Sequence, residues 1–133
     1  LLGGSRLLQN MGVLPHAAVL SGGRMEDRGR CERVDRSLLE GDQIAASALK
    51  AGIDAEHKGI LIENCRGDDV VIAPEGISGN LIFRTLMLLC GAQSYGAPVL
   101  WEEEIFIDSS RARNGFDGPV MLAGAMAGMR KEK

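Results

Sequence analysis

The chain has 133 residues, 45% hydrophobic and 25% charged, a size and composition typical of a folded domain and not of a disordered segment. Its formal net charge of −3 excludes a generally cationic surface, so we expect neither nucleic acid nor an anionic membrane as a partner. Three widely spaced cysteines without a CxxC pair predict no disulfide framework and no metal site, and they favour a reducing, cytoplasmic setting.

Apolar patterns in the first half of the chain predict short buried strands separated by helices. Each strand is a continuous apolar run, as is typical of strands that are covered on both faces. The predicted order is a helix at 6–11, a strand at 17–20, a helix at 34–50, and strands at 59–62 and 70–73. Gly41 interrupts the long helix and leaves open its division into two shorter helices.

The second half predicts a helix at 81–92, a strand within 99–107 and a last helix at 119–129. The helix at 81–92 is apolar almost all round except for Arg84, which favours a core helix or a subunit contact. We expect a dimer or domain interface on this helix, and we expect the protein to be a homo-oligomer. The run Glu102–Glu104 falls in the predicted strand, where alternate side chains point to opposite faces, so we expect a solvated edge there. The helix at 119–129 is too short to span a bilayer.

Strands that alternate with helices predict an α/β fold with a mainly parallel sheet and flanking helices. Ligands of such sheets bind beyond the carboxyl ends of the strands. We therefore expect the site in the loops that follow the strands.

The first candidate site is the turn Ser78-Gly79-Asn80, which follows the strand at 70–73. Free N–H groups at a helix start bind anions, and Arg84, one turn later, would add a guanidinium. Arg24, which follows Ser21-Gly22-Gly23 at the end of another strand, is a further candidate for the same ligand. The alternative is that Ser78 only caps the helix and Arg84 lies in solvent.

The second candidate site is the loop before the last helix. Ser110 could hydrogen-bond a carbonyl or thiol, Arg111 could bind a phosphate, and Asp117 could accept a proton. The alternative is that Asp117 only interacts with the helix dipole while the arginine is solvated. We interpret His16 and His57 as structural, because neither has a serine or cysteine beside it in the sequence.

Together the two motifs resemble a known family. The run from Ala73 to Asn80, followed by basic Arg84, resembles the Gly-Asn-xxx-Lys segment of phosphate acetyl/butyryltransferases. Ser110-Arg111 and Asp117 match the Ser-Arg pair and the following Asp of that family, in the same order. Within this superfamily the sequence of these motifs is most similar to that of the methyltransferase-related MtxX-type proteins of methanogenic archaea. The resemblance extends from about Pro15 to the end of the chain.

This resemblance implies one domain of a two-domain fold like that of isocitrate and isopropylmalate dehydrogenases, with the active site in the cleft between domains. It implies that residues 1–133 are the C-terminal domain of a longer protein, that the N-terminal domain is absent, and that the isolated chain is inactive. In the acyltransferases the Ser-Arg pair contacts phosphate and the thioester region, and the Asp acts on the coenzyme A thiol. Carried over, these catalytic roles fall on Ser110, Arg111 and Asp117, and coenzyme A is the implied cofactor.

Three functions remain open from the sequence. The leading one is a methyltransferase-related transferase domain of methanogens that has a phosphotransacylase-like fold and binds a small phosphate-bearing ligand. The second is a phosphate acyltransferase that moves an acyl group between phosphate and coenzyme A. The third is a ligand-binding or scaffold domain without catalysis.

Overall fold

The computed structural model describes residues 1–100, 104–109 and 115–131, which divide into two compact units, Leu1–Phe83 and Arg84–Lys133. Single turns of 3-10 helix lie at Met25–Asp27 and Ile62–Cys65. The main elements are α1 (Leu2–Asn10), β1 (His16–Leu20), α2 (Glu32–Lys50), β2 (Asp54–Gly59), β3 (Val70–Ile72), α3 (Gly76–Leu88), β4 (Ala97–Pro98), β5 (Ile107–Asp108) and α4 (Asp117–Lys131). None of the helices in these ranges combines the length and apolar character that a membrane crossing requires.

The first unit is built on a parallel sheet in the order β2-β1-β3. The central strand β1 is the most deeply buried: Ala17, Ala18 and Val19 have no exposed surface. The helix α2 contacts both β1 and β2 and contributes Ala48 to a small core with Ala17, Ile53 and Ala55. The α/β class and the parallel sheet predicted from the sequence are confirmed.

The second strand lies at Asp54–Gly59, so the predicted strand at 59–62 is wrong. β2 alternates exposed Asp54 and Glu56 with buried Ala55, a half-buried pattern that a search for continuous apolar runs misses. Gly59 has a φ of 61°, which ends the strand, and the apolar residues after it belong to a loop and a 3-10 turn.

The helix α2 is continuous through Gly41, so of the two arrangements that the sequence left open the structure has the single long helix. A Cβ on Gly41 would lie only 2.3 Å from His57 Nε2, on the neighbouring strand. The glycine is therefore explained by the close approach of the His57 ring and not by a helix break.

The helix α3 begins at Gly76, five residues before the predicted start, so Ser78 lies inside its first turn. Glu75 explains this start, because its carboxylate accepts hydrogen bonds from the backbone N–H groups of Ile77 and Ser78 at 2.7 Å each. The helix also ends earlier than predicted, at Leu88, and Gly91 follows with a φ of 69°.

Of the predicted strand within 99–107, the structure describes residues 99, 100 and 104–107, so most of the predicted edge Glu102–Glu104 lies outside the described residues. In the described part of the second unit, β4 and β5 form a short antiparallel pair, extended by a hydrogen bond from Val99 N to Phe106 O at 2.9 Å. α4 contacts β5 and begins at Asp117, with Pro119 in its first turn, where proline is tolerated.

Candidate functional site

A pocket of about 660 Å³ lies within the first unit at the carboxyl ends of all three parallel strands. Leu20 and Ser21 contribute from the end of β1, Ile60 from the loop after β2, and Pro74 from the loop after β3. The pocket thus lies at the edge of the sheet where the topology predicted a ligand site. Much of its wall is apolar, and the apolar run 60–62 that was mistaken for a strand forms part of it.

The charged residues of the pocket wall balance in sign. Arg33 and Arg36 come from the first turns of α2, and Glu40 and Glu75 contribute two carboxylates to the same lining. Arg36 pairs with Glu32 at 3.5 Å between Nη2 and Oε1, an exposed pair that contributes little to stability. Among the described residues Arg33 has no ion-pair partner, so its guanidinium is the cationic group most available to an anionic ligand.

The first turn of α3 already holds an anion of its own. Hydrogen bonds from Ser78 and from the Ile77 N–H, with a smaller contribution from the charge of Arg33, lower the pKa of Glu75. Glu75 is therefore ionised at neutral pH and occupies the N–H groups that we expected a ligand phosphate to use. Ser78 still lines the pocket, but its hydroxyl donates to the Glu75 carbonyl oxygen at 3.1 Å.

The other predicted anion-binding residues are not in the pocket wall. Gly79 packs closely against Ala73, the residue after β3, since a Cβ on Gly79 would lie 3.3 Å from Ala73 Cβ, and Asn80 is exposed. Arg24 is exposed at the start of a 3-10 turn, where its backbone N–H donates to Asp27 Oδ2 at 2.9 Å. Arg84 belongs to the second unit, on the exposed surface of α3.

The predicted catalytic loop is only partly described. Ser110 and Arg111 lie outside the described residues, so their contacts stay predictions. Asp117 is the first residue of α4 and is exposed, a position that the helix dipole favours for a carboxylate.

Sequence reasoning missed a hydrogen-bonded chain of Ser21, His57 and Asp42 next to the pocket. His57 Nε2 lies 2.9 Å from Ser21 Oγ, and His57 Nδ1 lies 2.7 Å from Asp42 Oδ1. Asp42 uses its other oxygen to accept from Arg28, and hydrogen bonds first from His57 and then from Arg28 lower the pKa of Asp42. His57 has no serine beside it in the sequence, but the fold brings Ser21 to it.

No sequence motif predicts this hydrogen-bonded chain, because its members lie far apart in the sequence. Asp42, on a helix, is 15 positions from His57, and Ser21, at a strand end, is 36 positions from it. Two features of the sequence pointed to it: Gly41, a glycine inside a helix that must leave room for a large neighbour, and a serine directly after a buried strand.

A second polar network lies on the other side of β2. Lys58 Nζ is 2.7 Å from Asp68 Oδ2, and His16 Nδ1 is 2.6 Å from Asp68 Oδ1. Burial opposes ionisation of Asp68, but these hydrogen bonds outweigh it and lower its pKa. In the described ranges no three His, Cys, Asp or Glu side chains cluster as a metal site, so we interpret this network as a tie between β2 and the loop before β3.

No protein-family model matches the chain. The chain is 47% identical, over 98% of its length, to a Methanosarcina acetivorans protein named "Putative methyltransferase mtx subunit X", of which it covers 47%. It is 43% identical over 86% of its length to a Methanopyrus kandleri protein and over 83% to a Methanocaldococcus jannaschii protein, both named as uncharacterized methyltransferases, of which it covers 47% and 46%. The chain therefore spans about half the length of the curated relatives it matches.

Among solved structures, the EutD phosphotransacetylase from Staphylococcus aureus has a TM-score of 0.58 to this chain, with 16% sequence identity. The similarity covers 94% of the chain and 43% of that protein. At this identity the similarity shows a shared fold and nothing about the reaction. It confirms the phosphotransacylase-like fold that the two motifs predicted.

Proposed function

We propose that this chain, a homologue of the methanogen mtx subunit X proteins with a phosphotransacetylase-like fold, is part of a methyltransferase-related transferase and binds a phosphate-bearing ligand in the strand-end pocket. The observation that carries the ligand class is the guanidinium of Arg33, which forms no ion pair with any described residue and lines a pocket at the carboxyl ends of three parallel strands. The transferase part of the proposal rests on the names of the relatives.

The balanced charges of the wall restrict where the phosphate would lie. Glu75 and Glu40 would repel it, so the phosphate belongs beside Arg33 and Arg36, where a guanidinium can donate two parallel hydrogen bonds. The rest of the ligand would lie along apolar Ile60 and the other aliphatic side chains of the wall. A ligand with an anionic end and a largely apolar body fits this arrangement.

The direct test is isothermal titration calorimetry of the full chain with inorganic phosphate, acetyl phosphate and coenzyme A. Arg33→Ala should weaken binding about tenfold or more, since a hydrogen bond to a charged group contributes about 1.5–3 kcal/mol. Arg66→Ala is the matched control, because Arg66 is exposed and lies outside the pocket lining. Equal affinities of the two variants would contradict the proposed position of the phosphate.

Turnover separates the alternatives that the sequence left open. Formation of acetyl coenzyme A from acetyl phosphate by the full-length protein would assign a phosphate acyltransferase. Binding without turnover would favour a ligand-binding domain. The catalytic roles of Ser110, Arg111 and Asp117 are part of this proposal, and Arg111→Ala and Asp117→Asn should lower turnover if the loop acts as in the acyltransferases.

We also propose that another protein surface covers the apolar side of α3. Within α3, Leu81, Leu86 and Leu88 are 62%, 49% and 50% exposed, which is unusual for adjacent turns of a helix in a monomer. A second copy of the chain and the remaining part of a longer protein like its relatives are the two candidates. Analytical ultracentrifugation of the chain tests the first: a dimer is expected, and a monomer at all concentrations would contradict it.

A further inference from the structure

Ser21, His57 and Asp42 are hydrogen-bonded in the order by which a histidine activates a serine hydroxyl. A carboxylate holds one imidazole nitrogen as its N–H donor, so the other nitrogen presents a lone pair to the hydroxyl. Here Asp42 Oδ1 and Ser21 Oγ lie within hydrogen-bond distance of Nδ1 and Nε2 of one His57 ring, at 2.7 and 2.9 Å. Both contacts are within the range that proton transfer requires.

The three residues are held in this arrangement by the fold. The His57 side chain is only 5% exposed and lies against Gly41 of α2. Asp42 is fixed through its second oxygen by Arg28. Ser21 follows β1, where its backbone N–H donates to the Gly59 carbonyl at 2.8 Å. The Ser21 hydroxyl also lies 3.5 Å from the Gly23 carbonyl oxygen, so of these two partners His57 is the nearer.

A purely structural hydrogen bond would not need to lie in a ligand pocket. Ser21 is 2% exposed overall, but it lines the pocket at the strand ends together with aliphatic Leu20 and Ile60. The hydroxyl, its base and an apolar wall thus meet at one place, which suits an acyl group.

We propose that Ser21 is a nucleophile, activated by His57 and Asp42, that accepts an acyl group from an ester or thioester bound in the pocket. Ser21 Oγ forms a bond to the carbonyl carbon while its proton moves to His57 Nε2. The carbon–oxygen or carbon–sulfur bond then breaks, and the leaving alkoxide or thiolate takes that proton. Water then bonds to the acyl carbon while its proton moves to His57 Nε2. The bond from Ser21 Oγ to that carbon breaks, the acid leaves, and Ser21 Oγ takes the proton back from His57. Asp42 stabilises the imidazolium but keeps its own charge throughout.

This activity shares the pocket with the proposed phosphate ligand but does not require it. A neutral ester can react where no phosphate binds, and a phosphate can bind where Ser21 is inert. The two proposals therefore fail separately.

The test is covalent labelling of the full chain with an alkyl fluorophosphonate, which modifies serines that have an activating base and releases fluoride. Peptide mass spectrometry should find the phosphonate on Ser21. His57→Gln should lower the labelling rate at least 100-fold, and Asp42→Asn should lower it by a smaller factor. Ser47→Ala, at an exposed position on α2 outside the three-residue chain, should label like the unaltered protein.

Circular dichroism shows whether each variant folds. If His57→Gln does not fold, the unaltered chain and Asp42→Asn still test the proposal. The proposal requires in any case that Ser21 of the unaltered chain be labelled faster than the other serines. Absence of label on Ser21 in the folded, unaltered chain would overturn the proposal. So would an equal labelling rate in a folded His57→Gln variant, since Ser21 would then react without the imidazole.

Discussion

Gly41→Ala tests whether the His57 ring is held as tightly as the structure indicates. The new methyl carbon would lie 2.3 Å from His57 Nε2 and 2.7 Å from Cδ2 and Cε1, so the ring must leave its position. Overpacking of a well-packed site costs about 1–3 kcal/mol. The ring would also lose its hydrogen bonds to Ser21 and Asp42, at about 1 kcal/mol each.

The same substitution has a favourable side, because alanine is preferred over glycine inside a helix by about 1 kcal/mol. The net loss in unfolding free energy is therefore about 2–4 kcal/mol. Gly124→Ala is the control: it also lies inside a helix, α4, but a Cβ there meets nothing within 4 Å, so it should be neutral or stabilising. Urea unfolding followed by circular dichroism measures both.

A double-mutant cycle makes the test specific to the ring. In a His57→Ala background the space beside Gly41 is free, so Gly41→Ala should become stabilising by about 1 kcal/mol. A coupling energy near 3 kcal/mol or more is then expected between the two positions. If Gly41→Ala were equally destabilising in both backgrounds, the His57 ring would not be the cause of the lost stability. The tight placement of His57 beside Ser21 and Asp42 would then be contradicted.

Three further changes have defined outcomes. Glu75→Gln should strengthen inorganic phosphate binding a few-fold in calorimetry, because it removes a negative charge near Arg33 and leaves an oxygen to cap α3; an unchanged affinity would place the phosphate elsewhere. Gly59→Ala should lower the free energy of unfolding by more than about 1 kcal/mol, and the urea midpoint with it, because Gly59 has a φ of 61° and a Cβ there would lie 2.7 Å from the Gly23 carbonyl oxygen. A midpoint equal to that of the unaltered chain would contradict this. Folding lowers the pKa of Asp68, so its carboxylate stabilises the fold above its unfolded pKa of about 4, and this stabilisation is lost as the pH falls through the folded pKa. Asp68→Asn should therefore flatten the acid limb of a curve of unfolding free energy against pH. An acid limb identical in that variant would show that other carboxylates determine it.

The sequence predicted the elements whose character lies in continuous apolar runs. β1 and β3 are such runs, and both were placed to within one residue. β2 was missed because its period-two pattern mixes Asp54 and Glu56 with Ala55, and because the apolar residues after Gly59 resemble a strand more than the strand itself does. The local sequence pattern does not reveal the position of β2, because that position is set by its pairing with β1.

The candidate site was predictable in its place but not in its chemistry. Parallel topology puts the loops after the strands at one edge, and the pocket lies there. The prediction that the first turn of α3 presents free N–H groups did not anticipate that Glu75, three residues before Ser78, would occupy them. Capping by a preceding carboxylate and binding of a ligand anion use the same donors, and sequence alone does not separate them.

The position of the bound phosphate is the most direct test of the central claim. Backbone amide shifts of the ¹⁵N-labelled chain should be followed while acetyl phosphate is added. We expect saturable changes centred on the pocket, with Gly22, Arg33 and Ser37 among the largest, and their loss in Arg33→Ala. Changes confined to the residues around Asp117, or none that saturate, would show that the strand-end pocket does not bind the phosphate.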